Sequence, residues 1–286
     1  MTRSIKTFIS MPWHAFDAAS GAYMLHPRDL HLLDPFIGVD AFTMPQPYFP
    51  PHPHAGMSAV TLMFDDAEGG FINRDSLGDR SEIRPGDLHW TQAGSGMIHE
   101  EIPSEPGRAA RGLQVFVNMA RAHKQAPPAA FHIRREAMPT LQAEGMQGTV
   151  MAGELRWQGA VLRSPITQDA RWLTQGDMID LRLVAGARVE FEVDAAKNAF
   201  FVLMQGELAI EGRTLPAPGA LVFEQDGNTL ALQAGAAGAR GVLLAGRPIG
   251  EPIYPKGPFM GNSAEDIAVY ATRFYRGDMG SLAASF

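Results

Sequence analysis

Arg84-Pro85-Gly86-Asp87-Leu88 is the stretch on which the fold turns. Proline then glycine at the centre of four residues suits a type II β-turn, because proline presets the first central φ and glycine accepts the positive second one. The same phrase returns as Pro218-Gly219-Ala220-Leu221, and in that register Trp90 meets Phe223, Gln92 meets Gln225 and Gly94 meets Gly227. Upstream, Val60-Thr61-Leu62-Met63 matches Phe201-Val202-Leu203-Met204. Short apolar runs such as Ala59–Phe64, Gly112–Val117 and Ala199–Met204, separated by Gly- and Pro-bearing turns, read as strands almost throughout. The reading is a duplicated all-β barrel module.

The histidines, and the candidate metal ligands with them, are confined to the first half of the chain. All nine histidines lie between His14 and His132. Four candidate ligands form two i, i+2 pairs: His52 and His54 in Pro51-His52-Pro53-His54, and His99 and Glu101 in His99-Glu100-Glu101. Residues two apart on a strand share a face, so two neighbouring strands can aim three imidazoles and a carboxylate at one point. Glu100 points the other way on this argument. Carried across the repeat without gaps, His99 and Glu101 fall on Leu232 and Ala234, and His52 and His54 on Val193 and Ala195. The second copy therefore keeps the strands and loses the ligands. Of the other histidines, His89 suits either a role beside the site or an exposed position. His14, His26, His31, His123 and His132 read as ordinary surface or hydrogen-bonded residues.

The 286 residues with 45% hydrophobic content can bury a sizeable core. A net charge of −7 argues against gripping nucleic acid. With no cysteine, thiol catalysis, iron–sulfur clusters and disulfides are excluded. The first residues lack the apolar core of a signal peptide and no stretch is long enough to cross a bilayer, so a cytoplasmic setting is expected. Arg121–Pro128 reads as a linker, which sets the expected domains at 1–126, metal-binding, and 127–286, metal-free. Near the end, Ser263 with Asp266 has capping-box spacing, and Ile267, Tyr270, Ala271 and Phe274 make one apolar stripe of a short C-terminal helix that packs on a barrel.

Taken in order, His52-Pro53-His54, Arg74-Asp75-Ser76-Leu77-Gly78, Ile83–Leu88, Ala93–His99 with Glu101, Gly112-Leu113-Gln114, Val117-Asn118 and Gly257-Pro258-Phe259 with Asn262 resemble the pirin family of bicupins. That resemblance implies two cupin-type jelly-roll barrels in tandem. It implies one divalent transition metal, usually iron, on His52, His54, His99 and Glu101 of the first barrel, and none in the second. Ligands of this kind suit iron(II), manganese, nickel, cobalt or copper, with zinc compatible. The leading expectation of function is a quercetin 2,3-dioxygenase-like cleavage of a flavonol-type aromatic with O2, in which Glu101 serves as ligand and as proton acceptor. The alternatives are a non-enzymatic regulator whose metal or redox state governs binding of a protein partner, and a bicupin with an unrelated small substrate. Neither direct nucleic-acid contact nor a membrane is expected. The chain departs from the family where pirins commonly run Arg-Gly-Phe-Glu-Thr after the second histidine: here stand Ala55, Gly56, Met57, Ser58 and Ala59. Position 89 is histidine where the family often has glutamine.

Overall fold

Strand after strand closes on a tight turn, and Arg84–Asp87 shows how. Gly86 sits at φ 89°, a left-handed conformation that glycine adopts without strain. The Asp87 N–H closes the turn on the Arg84 carbonyl at 2.9 Å. The computed structural model, which describes residues 1–210 and 212–286, is built from antiparallel strands with a helix at Ala264–Arg276. The fold is all-β, with two cupin-type barrels.

Contacts divide the chain into two units whose segments interleave. One comprises Trp13–Arg135, Arg171–Thr174 and Ile249–Phe286. Its larger sheet has seven strands in the order Ala129–Ile133, Leu88–Gln92, Met57–Met63, Ala110–Asn118, Phe36–Met44, Gly21–Leu25 and Trp13–Ala15. Its smaller sheet runs His52–His54, Met97–Pro103, Phe71–Asp75, Arg80–Ile83. The other unit comprises Met1–Pro12, Glu136–Ala170 and Gln175–Pro248. A single eleven-stranded sheet makes that barrel, and Thr229–Gly246 runs through it, pairing first with Arg188–Glu192 and then with Asp177–Leu183.

The expected cut between residues 126 and 127 is thus one of sequence order, while contacts regroup four segments, 1–12, 127–135, 171–174 and 249–286. Ile5–Ser10 pairs with Gly219–Phe223 of the second copy. Arg171–Thr174 groups with the first copy, where Gln92 holds it from both sides: its Nε2 donates to the Arg171 carbonyl at 2.9 Å and its Oε1 accepts from Leu173 N at 2.7 Å. Trp172 lies edge-on to the buried Trp90 at 5.3 Å. The C-terminal helix also joins the first copy. Ser263 caps it by accepting from Asp266 N at 3.3 Å, but the Asp266 carboxylate reaches past the cap to Asn262 N at 2.7 Å. Its Ile267 and Tyr270 are buried with Ala55, Phe259 and Met279, and Ala271 and Phe274 pack alongside. The stripe read from sequence is the buried one.

Strand register also revises part of the repeat. In the first barrel His99 stands opposite His52, Met97 opposite His54 and Glu101 opposite Asn73. In the second, Leu232 stands opposite Val189, Leu230 opposite Phe191 and Ala234 opposite Leu208. Leu232 and Ala234 keep their places as counterparts of His99 and Glu101. The counterparts of His52 and His54 are Val189 and Phe191, not Val193 and Ala195, because a gap-free count cannot register a difference of four residues in the connecting segments.

Candidate metal centre

His52-Pro53-His54 is an edge strand of the smaller sheet, the position in which a proline leaves no interior ladder bond unmade. It pairs with Met97–Pro103, which carries His99 and Glu101. Alternation then puts the three imidazoles on one face. Their ring centroids form a nearly regular triangle, 4.9 Å from His52 to His54, 4.7 Å from His52 to His99 and 5.0 Å from His54 to His99. One ring nitrogen from each lies within 4.8 Å of the other two.

Three features make this set fit a metal ion. The Nδ1–H of His52 donates to the Pro50 carbonyl at 3.0 Å, which leaves its Nε2 lone pair free. His54 Nδ1 and both ring nitrogens of His99 are buried with no hydrogen-bond partner. A buried polar atom left so costs about 1–3 kcal/mol, which coordination would offset. Finally, the rings are held neutral. Burial pulls His54 down to about 3, helped by the neighbouring His52 and opposed by the Pro258 carbonyl. Burial, then the charges of His52, His54 and His89, set His99 well below the ordinary histidine value. Burial lowers His52 too, against the Pro50 carbonyl and Glu100. Neutral imidazole is the form that binds a metal.

Glu101 follows on the same face but is not within the 4.8 Å histidine set. Its two oxygens lie 2.8 and 2.7 Å from the Thr61 hydroxyl, which donates to the carboxylate. Burial raises its pKa to about 7, the Thr61 hydrogen bond opposing. Glu100 is turned away, as alternation requires: it is fully buried, paired with Arg74 and bonded to Ser285 near the C-terminus. Adjacent carboxylates on one strand therefore do different work.

The sequence reading gave Thr61 no role, although a lone hydroxyl in the apolar run 59–63 is a usable signal. It belongs to a polar row across the larger sheet. Asp40 stands opposite Gln114, Gln114 opposite Thr61, Thr61 opposite His89, and His89 opposite His132. Gln114 Oε1 lies 3.1 Å from Thr61 Oγ1. His89 is fully buried, with neither ring nitrogen hydrogen-bonded, and burial lowers it to about 4. Of its two expected settings, the exposed one is therefore corrected. Asp87 anchors the far end: its carboxylate accepts from Arg84 N, Arg135 N and Arg134 Nη1 and stands 3.5 Å from His132 Nε2.

The residues after His54 explain how an altered motif is accommodated. Ala55 is wholly buried against Phe259 and Tyr270, Met57 packs with Ile37 and Met260, and Ser58 Oγ donates to Thr174 Oγ1 at 3.1 Å. Gly56, at φ 75°, passes so close to the chain that a Cβ would lie 2.0 Å from the Met260 carbonyl oxygen. The stretch read as a linker supplies another anchor. Lys124 is buried, and its ammonium donates to the carbonyls of Gly56 and Met260 and to Asn118 Oδ1.

A cupin-type barrel holding a cluster of buried, neutral imidazoles, followed by a second barrel without one, defines a bicupin class, and sequence comparison identifies the family within it. Residues 21–117 match the family described as Pirin, and 178–280 match the Pirin C-terminal cupin domain. The chain belongs to the pirin family. It is 31% identical to a pirin-like protein of Solanum lycopersicum over 245 residues, 84% of this chain and 79% of that one. It is 35% identical to a protein of Pseudomonas aeruginosa named "Putative quercetin 2,3-dioxygenase" over 256 residues, 85% of each chain. Among solved structures it resembles quercetin 2,3-dioxygenase from Acinetobacter baumannii, with a TM-score of 0.85 at 24% identity, covering 99% of this chain and 100% of that one. It also resembles the pirin YhhW of Escherichia coli in complex with nickel(II), with a TM-score of 0.63 at 14% identity, covering 85% and 99%. At those identities the two structures speak for the fold. No helix among the described residues is long and apolar enough to cross a membrane.

Proposed function

We propose that this pirin is a metal-dependent dioxygenase that cleaves a flavonol-type aromatic, quercetin or a near relative, with O2. The observation that carries the reading is the triangle of three buried imidazoles whose ring nitrogens lie within 4.8 Å of one another. His52, His54 and His99 would hold one divalent ion, iron(II) in the first instance, with Glu101 as the fourth ligand. Such an ion supplies Lewis acidity toward a substrate oxygen and the electronic means for the substrate to react with dioxygen. The Pseudomonas relative's name supports the same substrate class.

The protein's own groups suit that task. Glu101, ligand and base in one, would take the proton of the flavonol 3-hydroxyl. The Thr61 hydroxyl fixes its orientation. His52 is the least buried of the three histidines, so the open side of the cluster lies there. Phe49 stands 6.2 Å from its ring, and Phe16 and Tyr48 stack beside it at 5.3 Å. Tyr48 and Phe49 are each about 40% exposed. Aromatic rings at that edge give a flat substrate a surface to lie against.

The test pairs elemental analysis with oxygen uptake. Wild type is expected to carry about one equivalent of transition metal and to consume oxygen with quercetin, and folded His99→Ala to do neither. Protein that stays metal-free after reconstitution with iron(II), manganese, nickel and copper overturns the reading. So does loaded protein that leaves flavonols untouched.

A further inference from the structure

We infer that residues 279–285 form a strap that fastens the ligand strand from the face opposite the metal, so that docking of the strap and retention of the metal are coupled. The inference rests on the reading of His52, His54, His99 and Glu101 as ligands. After the helix the chain turns back on itself. Gly277, at φ 78°, caps the C-terminus, the Asp278 N–H donates to the Arg273 carbonyl at 2.9 Å, and the Gly280 N–H donates to the Gly277 carbonyl at 3.0 Å. The residues that follow meet Met97–Pro103 and its neighbour Phe71–Asp75. Met279 is buried against Gly96, at the entry to the ligand strand, so closely that a Cβ there would lie 2.4 Å from the Met279 side chain. Gly280 lies against Ser76. Ser76 in turn grips the ligand strand, its Oγ accepting from Ile98 N at 3.0 Å and its N–H donating to the Ile98 carbonyl at 2.8 Å.

The clasp closes on Glu100. That residue stands between His99 and Glu101 in the chain, and alternation points it to the other face. Its carboxylate is fully buried and accepts from Arg74, opposite it in register, from the Ser285 N–H at 3.2 Å and from the Ser285 hydroxyl. Arg74 also donates to the Ala283 carbonyl at 2.7 Å. One guanidinium thus holds strand and strap together. Bonds to a charged group are about twice as strong as neutral ones, and a buried carboxylate stripped of donors is costly, so the docked strap is favoured. Ala283, Ala284 and Ser285 are themselves exposed, so polar contacts hold this end, and such a segment opens more readily than a core strand. When it lifts, Glu100 loses the Ser285 donors and the strand bearing His99 loses its support from behind. On its other side that strand has only the short edge strand His52–His54. Ser285 therefore acts on the ligands through Glu100, as a positioning residue. The coupling is reciprocal: whatever holds His99 against His52 and His54 favours the docked strap, and the docked strap retains the metal.

The test uses the full chain and Ser285→Pro, an exposed substitution that removes both donors to Glu100. Hydrogen–deuterium exchange of the two metal-free proteins comes first. Amides of Met97–Pro103 are expected to lose about tenfold protection in the variant, the size of one bond to a charged acceptor. Those of Asp177–Leu183, in the other unit, should not change. Both proteins are then loaded with cobalt(II), and its release to a coloured chelator is followed. Release should be about tenfold faster from Ser285→Pro, while Ser285→Thr, which keeps both donors, should behave as wild type. Loading wild type should in turn raise the protection of the Ser285 amide. Unchanged exchange over Met97–Pro103 in folded Ser285→Pro overturns the proposal. Cobalt(II) held equally by both proteins overturns the strap alone, whereas wild type that takes up no cobalt(II) overturns the ligand reading and the coupling with it.

Discussion

Replacing Lys124 by methionine removes a buried ammonium and keeps most of its volume. Three acceptors surround its Nζ: the Gly56 carbonyl at 2.7 Å, Asn118 Oδ1 at 2.7 Å and the Met260 carbonyl at 3.0 Å. Burial nevertheless lowers its pKa from 10.5 to about 8, against the carboxylates of Glu251, Asp266 and Asp34 and aided by Arg121. A fall of that size means that folding favours the neutral amine over the ammonium by about 3 kcal/mol. The folded state then sheds its proton at lower pH than the unfolded chain does. Between pH 8 and 10.5 the unfolded chain binds more protons, so this group makes stability rise with pH across that window and contributes no slope below it. Wild type should therefore gain up to about 3 kcal/mol there relative to Lys124→Met. At pH 7 the variant should be the less stable by about 2–4 kcal/mol, because three buried acceptors lose their donor. Urea unfolding of both proteins from pH 7 to 10.5 gives the difference directly, since the other titrating groups are common to both. A difference that stays flat or falls above pH 8 would refute the reasoning, and would mean that the three acceptors stabilise the ammonium as well as water does.

Two further outcomes follow from the polar row. Thr61→Val takes the hydrogen-bond donor from Glu101, so burial should carry that carboxyl further above about 7. Infrared titration of that carboxyl in the metal-free protein should then show its midpoint moved to higher pH; an unmoved midpoint would show that Thr61 does not hold the carboxylate. For Asp87, burial raises the pKa, but hydrogen bonds with His132, Arg135 N, Arg84 N and Arg134 outweigh it and hold the group below its usual 3.8. Its stabilising effect is present above the unfolded value and is lost as pH falls through the folded one. Asp87→Asn should cost about 2 kcal/mol at pH 7, and chemical denaturation of the two proteins should converge only below the folded carboxyl value; a loss independent of pH would assign the effect to packing alone.

Which candidate ligands share a face was legible because a strand has a period of two. His52 and His54, and His99 and Glu101, each had to share a face, and the same rule turned Glu100 toward Arg74. The turn at Arg84–Asp87 and the capped helix from Ala264 were legible for a similar reason, since backbone conformation there depends on a few adjacent residues. Thr61, His89 and Lys124 were harder. Each is polar and buried, and its meaning depends on which strand or carbonyl lies across from it. Lys124 stood in what reads as a linker, and only the carbonyls of Gly56 and Met260, both far off in the chain, reveal it as an anchor.

By itself, then, the sequence determined an all-β chain of two related barrels with ligand-type residues in the first, because strand period, turn chemistry and composition are local properties. Tertiary structure decided which segments complete each barrel, how the three imidazoles converge, that Thr61 holds Glu101, and that Val189 and Phe191 stand in the places of His52 and His54. Those are matters of register between segments far apart in the chain. Loop length sets that register, and no count along a single strand contains it.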